Sequence, residues 1–290
     1  MRIELLSPAT APAYSALTFP AYQTLLTGSD NIAIGAGDVQ PVGLALARPA
    51  PDRNMLEVLS LYVDKAGRNQ GVATRMLEAL VSEARQRGYE GLRIQYRAPK
   101  LALERVLEKT GWTPPAPFLT TYKTDARIRA TPLLELGIEL DDRYEIFGWS
   151  ELKAEERPQI ETLLEHEPLP SRFLSPWLEA DRVEPLNSVG VRCEGRIVGW
   201  SLTHRLDPRT IRYSGIFVHP DHRGMKGMGV GLCLLIESIQ RHLPCSETEI
   251  PFAMFVVRRD NAFMPSIAQR YLEPYAFEKQ EMRYAAYLSA

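Results

Sequence analysis

The sequence predicts a mixed α/β fold in two successive domains. Residues 57–88 pass from a strand pattern through a short glycine-containing loop into a helical pattern, and residues 210–243 repeat that order. Internal similarity at so long a period indicates duplicated domains, because the units of solenoid repeats are much shorter. The chain of 290 residues also suits two domains of about 100–200 residues each. We place the domains at 1–130 and 141–290.

The two strand-loop-helix segments match at specific positions. Val63 ends the first central strand and Val218 ends the second, and an arginine follows each valine by five positions, at Arg68 and Arg223. Both pairs are separated by an offset of 155 positions, from 63 to 218 and from 68 to 223. The repeat therefore strengthens an interpretation that either segment alone would leave weak.

In the first half, alternating apolar residues between turn-forming breaks predict the strands. They are expected at 2–6, 31–36, 42–47, 55–63, 92–96 and 118–124. Alanine-rich residues 9–26, interrupted by Pro12 and Pro20, predict one or two short helices. Apolar residues at helical spacing predict a longer helix that ends at Gly88, and a further helix is expected at 101–109.

The second half repeats this order of elements. Its strands are expected at 144–149, 188–193, 196–204, 210–218, 253–257 and 277–288. Amphipathic helices are expected at 155–166 and 261–272, the latter stopped by Pro274, with an apolar helix before Leu243. The proline-rich loop at 167–187 is long enough to shape a binding cleft.

Composition excludes several classes of protein. The formal net charge of −2 argues against a general nucleic-acid binder, which is usually strongly basic. No apolar run has the length of a signal peptide or a membrane span, so we expect a cytoplasmic protein with no membrane partner. The three cysteines are odd in number and form no CxxC spacing, which argues against a disulfide framework and against a metal site.

The first loop has the features of a pyrophosphate site. Small residues within 68–73 let backbone N–H groups turn inward at a helix N-terminus, where the helix dipole also favours an anion. Neither GxxxxGK[ST] nor GxGxxG is present at this position. The alternative is a tight strand-to-helix turn in some other α/β protein.

The pattern R/Q-x-x-G-x-G/A after a strand ending in Val63 resembles the acetyl-CoA loop of the GNAT superfamily of N-acetyltransferases. Because the motif occurs twice, the chain resembles a tandem GNAT protein. The resemblance implies that each domain is a twisted, mostly antiparallel sheet flanked by helices. It also implies transfer of an acetyl group from acetyl-CoA, or another short acyl-CoA, to a primary amine by direct attack in a ternary complex, with no metal and with one or both domains catalytic. The acceptor would be a small-molecule or peptide amine, and the protein a monomer or homodimer.

The resemblance further assigns cofactor contacts to the two central segments. In the first domain they are Leu61, Tyr62, Val63, Arg68, Asn69, Gln70, Gly71, Val72, Ala73 and Thr74. In the second they are Phe217, Val218, Arg223, Gly224, Lys226, Gly227, Gly229, Val230, Gly231 and Asn261. The second loop carries one residue too many between Arg223 and its GxG, and in an alternative register Lys226 takes the place of the arginine.

Glu57 is the candidate general base. It lies six residues before Val63, the register at which the histone-acetyltransferase branch of the GNAT superfamily carries its glutamate, and strand parity puts both residues on one face. A buried carboxylate there could accept the amine proton. The alternative is an ordinary strand glutamate. The matching position in the second domain is Arg212.

The candidate general acid lies in the second domain. Many GNAT enzymes carry a tyrosine four residues before a Gly-Phe pair, and in the first domain that position is Leu107, which cannot donate a proton. In the second domain Tyr271 stands one residue out of this register, and the alternative is a core tyrosine. His204 is a candidate to face the acceptor cleft, whereas His219 and His222 are expected to be turn residues rather than metal ligands.

Two rival interpretations remain open. One is a non-enzymatic acyl-CoA-binding or sensing module with degenerate active sites, consistent with Leu107 and with the insertion in the second loop. The other is an aminoacyl-tRNA-dependent transferase of the Fem type, which also duplicates a GNAT-like domain. The Arg68 loop and the slightly negative net charge speak against the second rival.

Overall fold

The computed structural model describes residues 1–51, 54–165, 174–223 and 229–288. Backbone contacts divide the chain into two compact units. Unit 1 comprises Met1–Phe118 and Glu281–Ala290, and unit 2 comprises Leu119–Gln280. The bounds 1–130 and 141–290, which follow the order of the duplicated motifs along the chain, stay a prediction.

The secondary structure combines runs of consecutive strands, such as residues 32–63 and 189–218, with helices between the runs. The strands are β1 (Arg2–Leu5), β2 (Ile32–Gly37), β3 (Pro41–Pro49), β4 (Met55–Val63), β5 (Gly91–Arg97), β6 (Ala116–Thr124), β7 (Tyr144–Gly148), β8 (Val189–Cys193), β9 (Arg196–Asp207), β10 (Thr210–Val218), β11 (Phe252–Arg258) and β12 (Ala276–Leu288). The helices are α1 (Val72–Gln86), α2 (Leu101–Lys109), α3 (Arg157–Glu165), α4 (Gly229–His242) and α5 (Met264–Ile267).

The sheet of unit 1 has the strand order β1-β2-β3-β4-β5-β12. All neighbours are antiparallel except β4 and β5, which run parallel. Its last strand comes from the far end of the chain, since residues 282–288 of β12 pair with β5. The predicted closing strands at 277–288 are thus one continuous strand, and the part of it beyond Gln280 completes unit 1.

Helix α1 covers one face of this sheet because its apolar residues recur every three or four positions. Val72, Met76, Leu77, Leu80, Val81 and Ala84 are buried, and they pack on the strands at Leu56, Val58 and Ile94. Burial of one such side chain contributes about 1.5–3 kcal/mol. The 3₁₀ helices Ala11–Leu17 and Pro20–Thr27 help cover the opposite face.

The sheet of unit 2 has the order β6-β11-β10-β9-β8-β7, again antiparallel except for the parallel pair β10 and β11. Helix α4 packs on one face through Leu235 and Ile239. On the other face Trp200 stacks on Phe217 with ring centroids 4.4 Å apart, in a cluster that α3 joins through Ile160. Each unit is therefore a mostly antiparallel sheet flanked by helices, which confirms the predicted fold class.

The short helices predicted within 9–26 are present as 3₁₀ helices, each with a proline in its first turn. Two other helix predictions need correction. The helix expected from 155 begins as a 3₁₀ turn and becomes α-helical only at Arg157. The helix expected at 261–272 begins at Met264, and a π-helical turn over Ala268–Leu272 forms its second half.

Candidate active site

In each unit the parallel strand pair separates partway along its length. The pairing of β4 with β5 stops at Val58 and Ile94, although β4 runs on to Val63. The pairing of β10 with β11 stops at Tyr213 and Phe255, although β10 runs on to Val218. Beyond these points the facing strand edges are not joined to each other, so their backbone N–H and C=O groups are open to other partners.

A β-bulge marks the same position in both units. Leu46 pairs with Ser60 and Ala47 with Val58, which leaves Leu59 as the extra residue. In unit 2 the shift falls between the pairs of Tyr213 and Gly215, which leaves Ser214 as the extra residue. A bulge inserts one residue and so changes which side chains share a face.

This bulge corrects the sequence argument for Glu57. Leu56, Val58, Leu61 and Val63 all pack in the α1 cluster, so alternation places Glu57 on the opposite face of β4 from Val63. The predicted common face was wrong because strand parity assumes an uninterrupted strand.

Glu57 forms an ion pair with Arg48, its cross-strand neighbour on β3. Oε2 of Glu57 accepts from Nη2 of Arg48 at 3.0 Å and from Nε at 3.3 Å. The Glu57 side chain is 16% exposed and that of Arg48 is 45% exposed. Among the described residues no donor binds Oε1, so this oxygen is available to accept a proton.

The first loop provides an anion site at the N-terminus of α1. Gly71 precedes the helix with a left-handed φ of 72° and no side-chain cap, and the first intrahelical bond runs from the N–H of Arg75 to the carbonyl of Gly71. The N–H groups of Val72, Ala73 and Thr74 therefore have no acceptor within the helix. Such groups, together with the helix dipole, fit a phosphate.

The arginine of the loop fixes the end of β4. Nε of Arg68 donates to the carbonyl oxygen of Val63 at 3.2 Å, and the side chain remains exposed. Asn69 adopts a left-handed φ of 61°, and Gln70 donates to the carbonyl of Ala66 at 2.8 Å. The structure thus brings the predicted loop residues together beside the open edge of β4.

The second loop repeats this arrangement where it is described. Nε of Arg223 donates to the carbonyl oxygen of Val218 at 2.9 Å, as Arg68 does to Val63. This bond supports Arg223, rather than Lys226, as the counterpart of Arg68. Gly224, Lys226 and Gly227 lie outside the described residues.

The remaining predicted contact residues differ in their exposure. Leu61 packs in the α1 cluster, whereas Tyr62 is 40% exposed. Phe217, Val218 and Val230 are buried, so these three could meet a ligand only through backbone atoms. Gly229 and Gly231 lie in the first turn of α4, and a Cβ on Gly229 would meet no described atom within 4 Å.

The positions considered for a general acid are both packed. Leu107 is fully buried in the core of unit 1. Tyr271 lies in the π-helical turn, partly buried against the core of unit 2, and its backbone carbonyl accepts from Oγ1 of Thr131. Glu57 and Tyr271 belong to different units, so neither unit contains both. Oδ1 of Asn261 accepts from the N–H groups of Phe263 and Met264, and this residue therefore holds the turn that leads into α5.

Sequence reasoning did not identify Tyr96 of unit 1 as a candidate site residue. Tyr96 lies on β5 just past the end of the parallel pairing, and its hydroxyl donates to Oε1 of Glu104 at 3.1 Å. Nη1 of Arg283 donates to the same oxygen at 3.0 Å. Burial, with the neighbouring carboxylate, raises the pKa of Tyr96 to about 12. No helical or loop motif marks this residue in the sequence.

Unit 2 contains a cavity of about 190 Å³ at the point where β10 and β11 separate. Its lining residues are Leu174, Ser175, Leu178, Glu179, Leu202, His204, Arg212, Ser214, Gly215 and Val256. His204 therefore lines the opening between these strands. Its place in the second hairpin is the reason to consider it as a residue that faces the acceptor cleft. Ser214 and Glu179 were missed, since a bulge and a loop contact leave no sequence pattern.

Polar side chains inside this cavity form a connected network. Nδ1 of His204 lies 2.7 Å from Oγ of Ser214, and Nε of Arg212 donates to the same Oγ at 2.8 Å. Nη2 of Arg212 donates to Oε1 of Glu179 at 2.7 Å. Burial, with the nearby Arg212 cation, lowers the pKa of His204 below its usual value, which favours the neutral imidazole.

The other two histidines considered above serve local structure. Nδ1 of His219 accepts from the N–H of Asp221 at 3.4 Å, and His222 lies 3.1 Å from the hydroxyl of Tyr144. Across the described ranges, no three His, Cys, Asp or Glu side chains gather as a metal site would require. In the same part of the chain, no helix combines the length and apolar character needed to span a membrane.

Comparison with known proteins agrees with this architecture. Residues 3–112 match the model of the acetyltransferase (GNAT) family. No curated protein sequence matches the chain significantly.

Solved structures resemble the chain over its whole length. A tandem GNAT protein from the clavulanic acid biosynthesis pathway superposes with a TM-score of 0.65 at 13% identity, covering 100% of this chain and 98% of that one. A GCN5-related N-acetyltransferase from Sphaerobacter thermophilus gives a TM-score of 0.59 at 18% identity, with coverage of 98% and 94%. The chain as a whole therefore has the fold of a tandem GNAT protein.

Proposed function

We propose that this protein is an acyl-CoA-dependent N-acyltransferase that moves an acetyl group from acetyl-CoA to a primary amine. The observation that carries the proposal is the repeated combination of an opened parallel strand pair, a β-bulge and an arginine that holds the strand end. Both units have this combination, and in unit 1 an uncapped helix N-terminus completes it. The same features could accept an extended thioester with a pyrophosphate at one end.

In unit 1 the groups that would hold the cofactor are fixed before it arrives. The N–H groups of Val72, Ala73 and Thr74 and the guanidinium of Arg68 would bind the pyrophosphate. The open edge of β4 from the bulge to Val63 would bind the pantetheine arm by backbone hydrogen bonds. Preorganised donors of this kind need little rearrangement on binding.

The chemistry proposed for unit 1 is direct attack of the amine on the thioester in a ternary complex. Bound acetyl-CoA supplies an activated acyl group. Glu57 would accept the amine proton at Oε1 while Arg48 holds Oε2, and the departing thiolate needs no dedicated acid because a thiol has a pKa of only about 8.5. The presence of Leu107 at the position of the general acid therefore does not by itself exclude catalysis in unit 1. If unit 2 also works by direct attack, Tyr271 is the residue proposed to protonate the thiolate there.

Calorimetric titration with acetyl-CoA tests the cofactor site. Gly71→Glu should abolish binding to unit 1, because a carboxylate would occupy the anion site and a side chain would be strained at this φ. Gly88→Glu is the matched control, since Gly88 follows the other end of α1 with a φ of 78° and equally open space. Gly229→Glu makes the same change in unit 2. Unchanged stoichiometry and affinity in both loop variants would contradict the proposal.

A non-enzymatic acyl-CoA-binding module is the second candidate. It is favoured by the buried Leu107 and by the ion pair that already engages Glu57. Release of free CoA from acetyl-CoA in the presence of a panel of primary amines separates the two functions. Amine-dependent turnover would rule out the binding module, whereas tight binding without turnover for any amine would support it.

A further inference from the structure

The cavity in unit 2 places a serine where the parallel strands part. Ser214 is the bulged residue of β10, one position past the last residue that pairs with β11. Gly215 of β10 and Val256 of β11 line the same cavity, and Val256 directly follows the last paired residue of its strand. Ser214 therefore lies at the mouth of the opening between the strands. The equivalent residue in unit 1 is Leu59, which has no nucleophilic group.

The hydrogen bonds around His204 fix the direction of its proton. Nε2 lies 3.2 Å from the backbone carbonyl oxygen of Leu178, which can only accept, so Nε2 carries the hydrogen. In the neutral imidazole Nδ1 is then an acceptor. Oγ of Ser214 lies 2.7 Å from this nitrogen and 3.3 Å from the backbone carbonyl oxygen of Arg212, so the shorter contact favours donation of its hydroxyl proton to Nδ1.

The serine oxygen is thereby placed between a base and a cation. Its proton points to Nδ1 of His204, and the oxygen accepts from Nε of Arg212 at 2.8 Å. Glu179 binds the other side of the guanidinium at 2.7 Å and holds it in place. A nucleophile bonded to a base that a third group orients is the arrangement of covalent catalysis.

Unit 2 also lacks a carboxylate at the position that corresponds to Glu57. Arg212 stands 155 positions after Glu57 in the sequence and cannot accept a proton at neutral pH. Catalysis in unit 2 therefore cannot use the carboxylate proposed for unit 1, and the pair of Ser214 and His204 is one alternative that this cavity offers.

We infer that Ser214 is an acyl-accepting nucleophile and His204 its general base, so that unit 2 passes the acyl group through a serine ester. Oγ attacks the thioester carbonyl carbon and its proton moves to Nδ1. The C–S bond breaks with its electron pair on sulfur, and the thiolate takes the proton from Nδ1. An amine then attacks the ester, the new C–N bond replaces the C–O bond, and the amine proton returns through His204 to Oγ. The inference rests on the proposed function only in requiring unit 2 to bind an acyl-CoA.

Trapping the serine ester tests the inference without knowledge of the acceptor. The full-length protein is incubated with acetyl-CoA in the absence of amine, quenched in acid and measured by intact-protein and peptide mass spectrometry. We expect one acetyl group on the peptide that contains Ser214. Alkaline hydroxylamine should remove this group, because it cleaves an ester and leaves the amide of an acetylated lysine intact. Ser214→Ala should abolish it, and His204→Gln should slow its formation at least tenfold.

Controls separate the possible failures. Ser150→Ala removes an exposed serine of unit 2 and should leave the label unchanged, and thermal unfolding verifies that Ser214→Ala folds. Suppose that calorimetry shows acetyl-CoA binding, that Gly229→Glu abolishes it, and that no label is found at Ser214. This result would overturn the inference and leave the proposed function intact. A label that persists in Ser214→Ala would also overturn it. Absence of any acetyl-CoA binding would count against both proposals.

Discussion

Leu59 and Ser214 are the extra residues of equivalent β-bulges, at positions 155 residues apart. The backbone has kept the same irregularity in both units while the side chain differs in its chemistry. An aliphatic residue at this position leaves the bulge of unit 1 without a nucleophilic side chain. A hydroxyl gives unit 2 a group that can form a covalent bond, so we expect substitutions in the two units to have separable effects.

Glu57→Gln should lower the amine-dependent acetylation rate of unit 1 by about 10²–10⁴-fold, the range for loss of a general base. The amide can still accept the hydrogen bonds of Arg48, so we expect acetyl-CoA affinity and thermal stability to change little. Steady-state kinetics together with calorimetry measure both quantities. Ser82→Ala, a substitution within helix α1, serves as a control. A variant with an unchanged rate would remove Glu57 from the mechanism.

Arg68→Ala should weaken acetyl-CoA binding to unit 1 by about tenfold or more. The substitution removes a cation next to the anion site and also the hydrogen bond that fixes the Val63 carbonyl, and hydrogen bonds to charged groups contribute about 1.5–3 kcal/mol. The affinity of the wild-type protein should also fall more steeply with salt than that of the variant. Calorimetry at two ionic strengths would detect this difference, and parallel salt dependences would argue against a role for Arg68 in phosphate binding.

Leu107→Tyr should destabilise unit 1 without supplying a general acid. Leu107 is fully buried, and the larger ring would overpack the core at a cost of about 1–3 kcal/mol. Leu107→Ala should cost about 2–5 kcal/mol by leaving a cavity. Urea unfolding measures both changes. If Leu107→Tyr were as stable as the wild-type protein and had a higher transfer rate, position 107 could still serve as the acid site.

Acidification should destabilise unit 2 through its buried histidines. Burial lowers the pKa of His204 and of His242, so between the lowered pKa and the usual value of about 6.5 the unfolded chain binds more protons than the folded one. The free energy of unfolding therefore falls as the pH drops below about 6.5, by up to about 1.4 kcal/mol per pH unit for each group. Denaturant unfolding at several pH values measures the slope. His242→Gln should have a shallower slope, and equal slopes would contradict this assignment.

Much of the fold could be predicted from the sequence because it depends on local patterns. The amphipathic spacing of α1, the glycine at its N-terminus and the repeat of Arg68 at Arg223 all follow from residues near one another in the chain. Helix α2 occupies the predicted range Leu101–Lys109. These features depend on propensity and periodicity.

The rest depends on pairing between distant residues. The bulge at Leu59 appears only when β3 and β4 are aligned, and it moved Glu57 to the face opposite Val63. The network of Ser214, His204 and Arg212 joins two strands and is fixed by Glu179 from a loop about 30 residues earlier in the chain. Neither arrangement leaves a short motif that sequence reasoning could recognise.

The position of the last strand affects the order in which the chain can fold during synthesis. Unit 2 is a continuous segment, Leu119–Gln280, whereas unit 1 also includes residues from Glu281 onward. The edge of β5 that pairs with β12 stays open until residues 282–288 have left the ribosome. Nascent chains usually fold their N-terminal domain first, but here the later-made unit can be complete while the earlier one still lacks a strand. A stop codon shortly before residue 281 should therefore impair unit 1, although most of that unit is translated before unit 2.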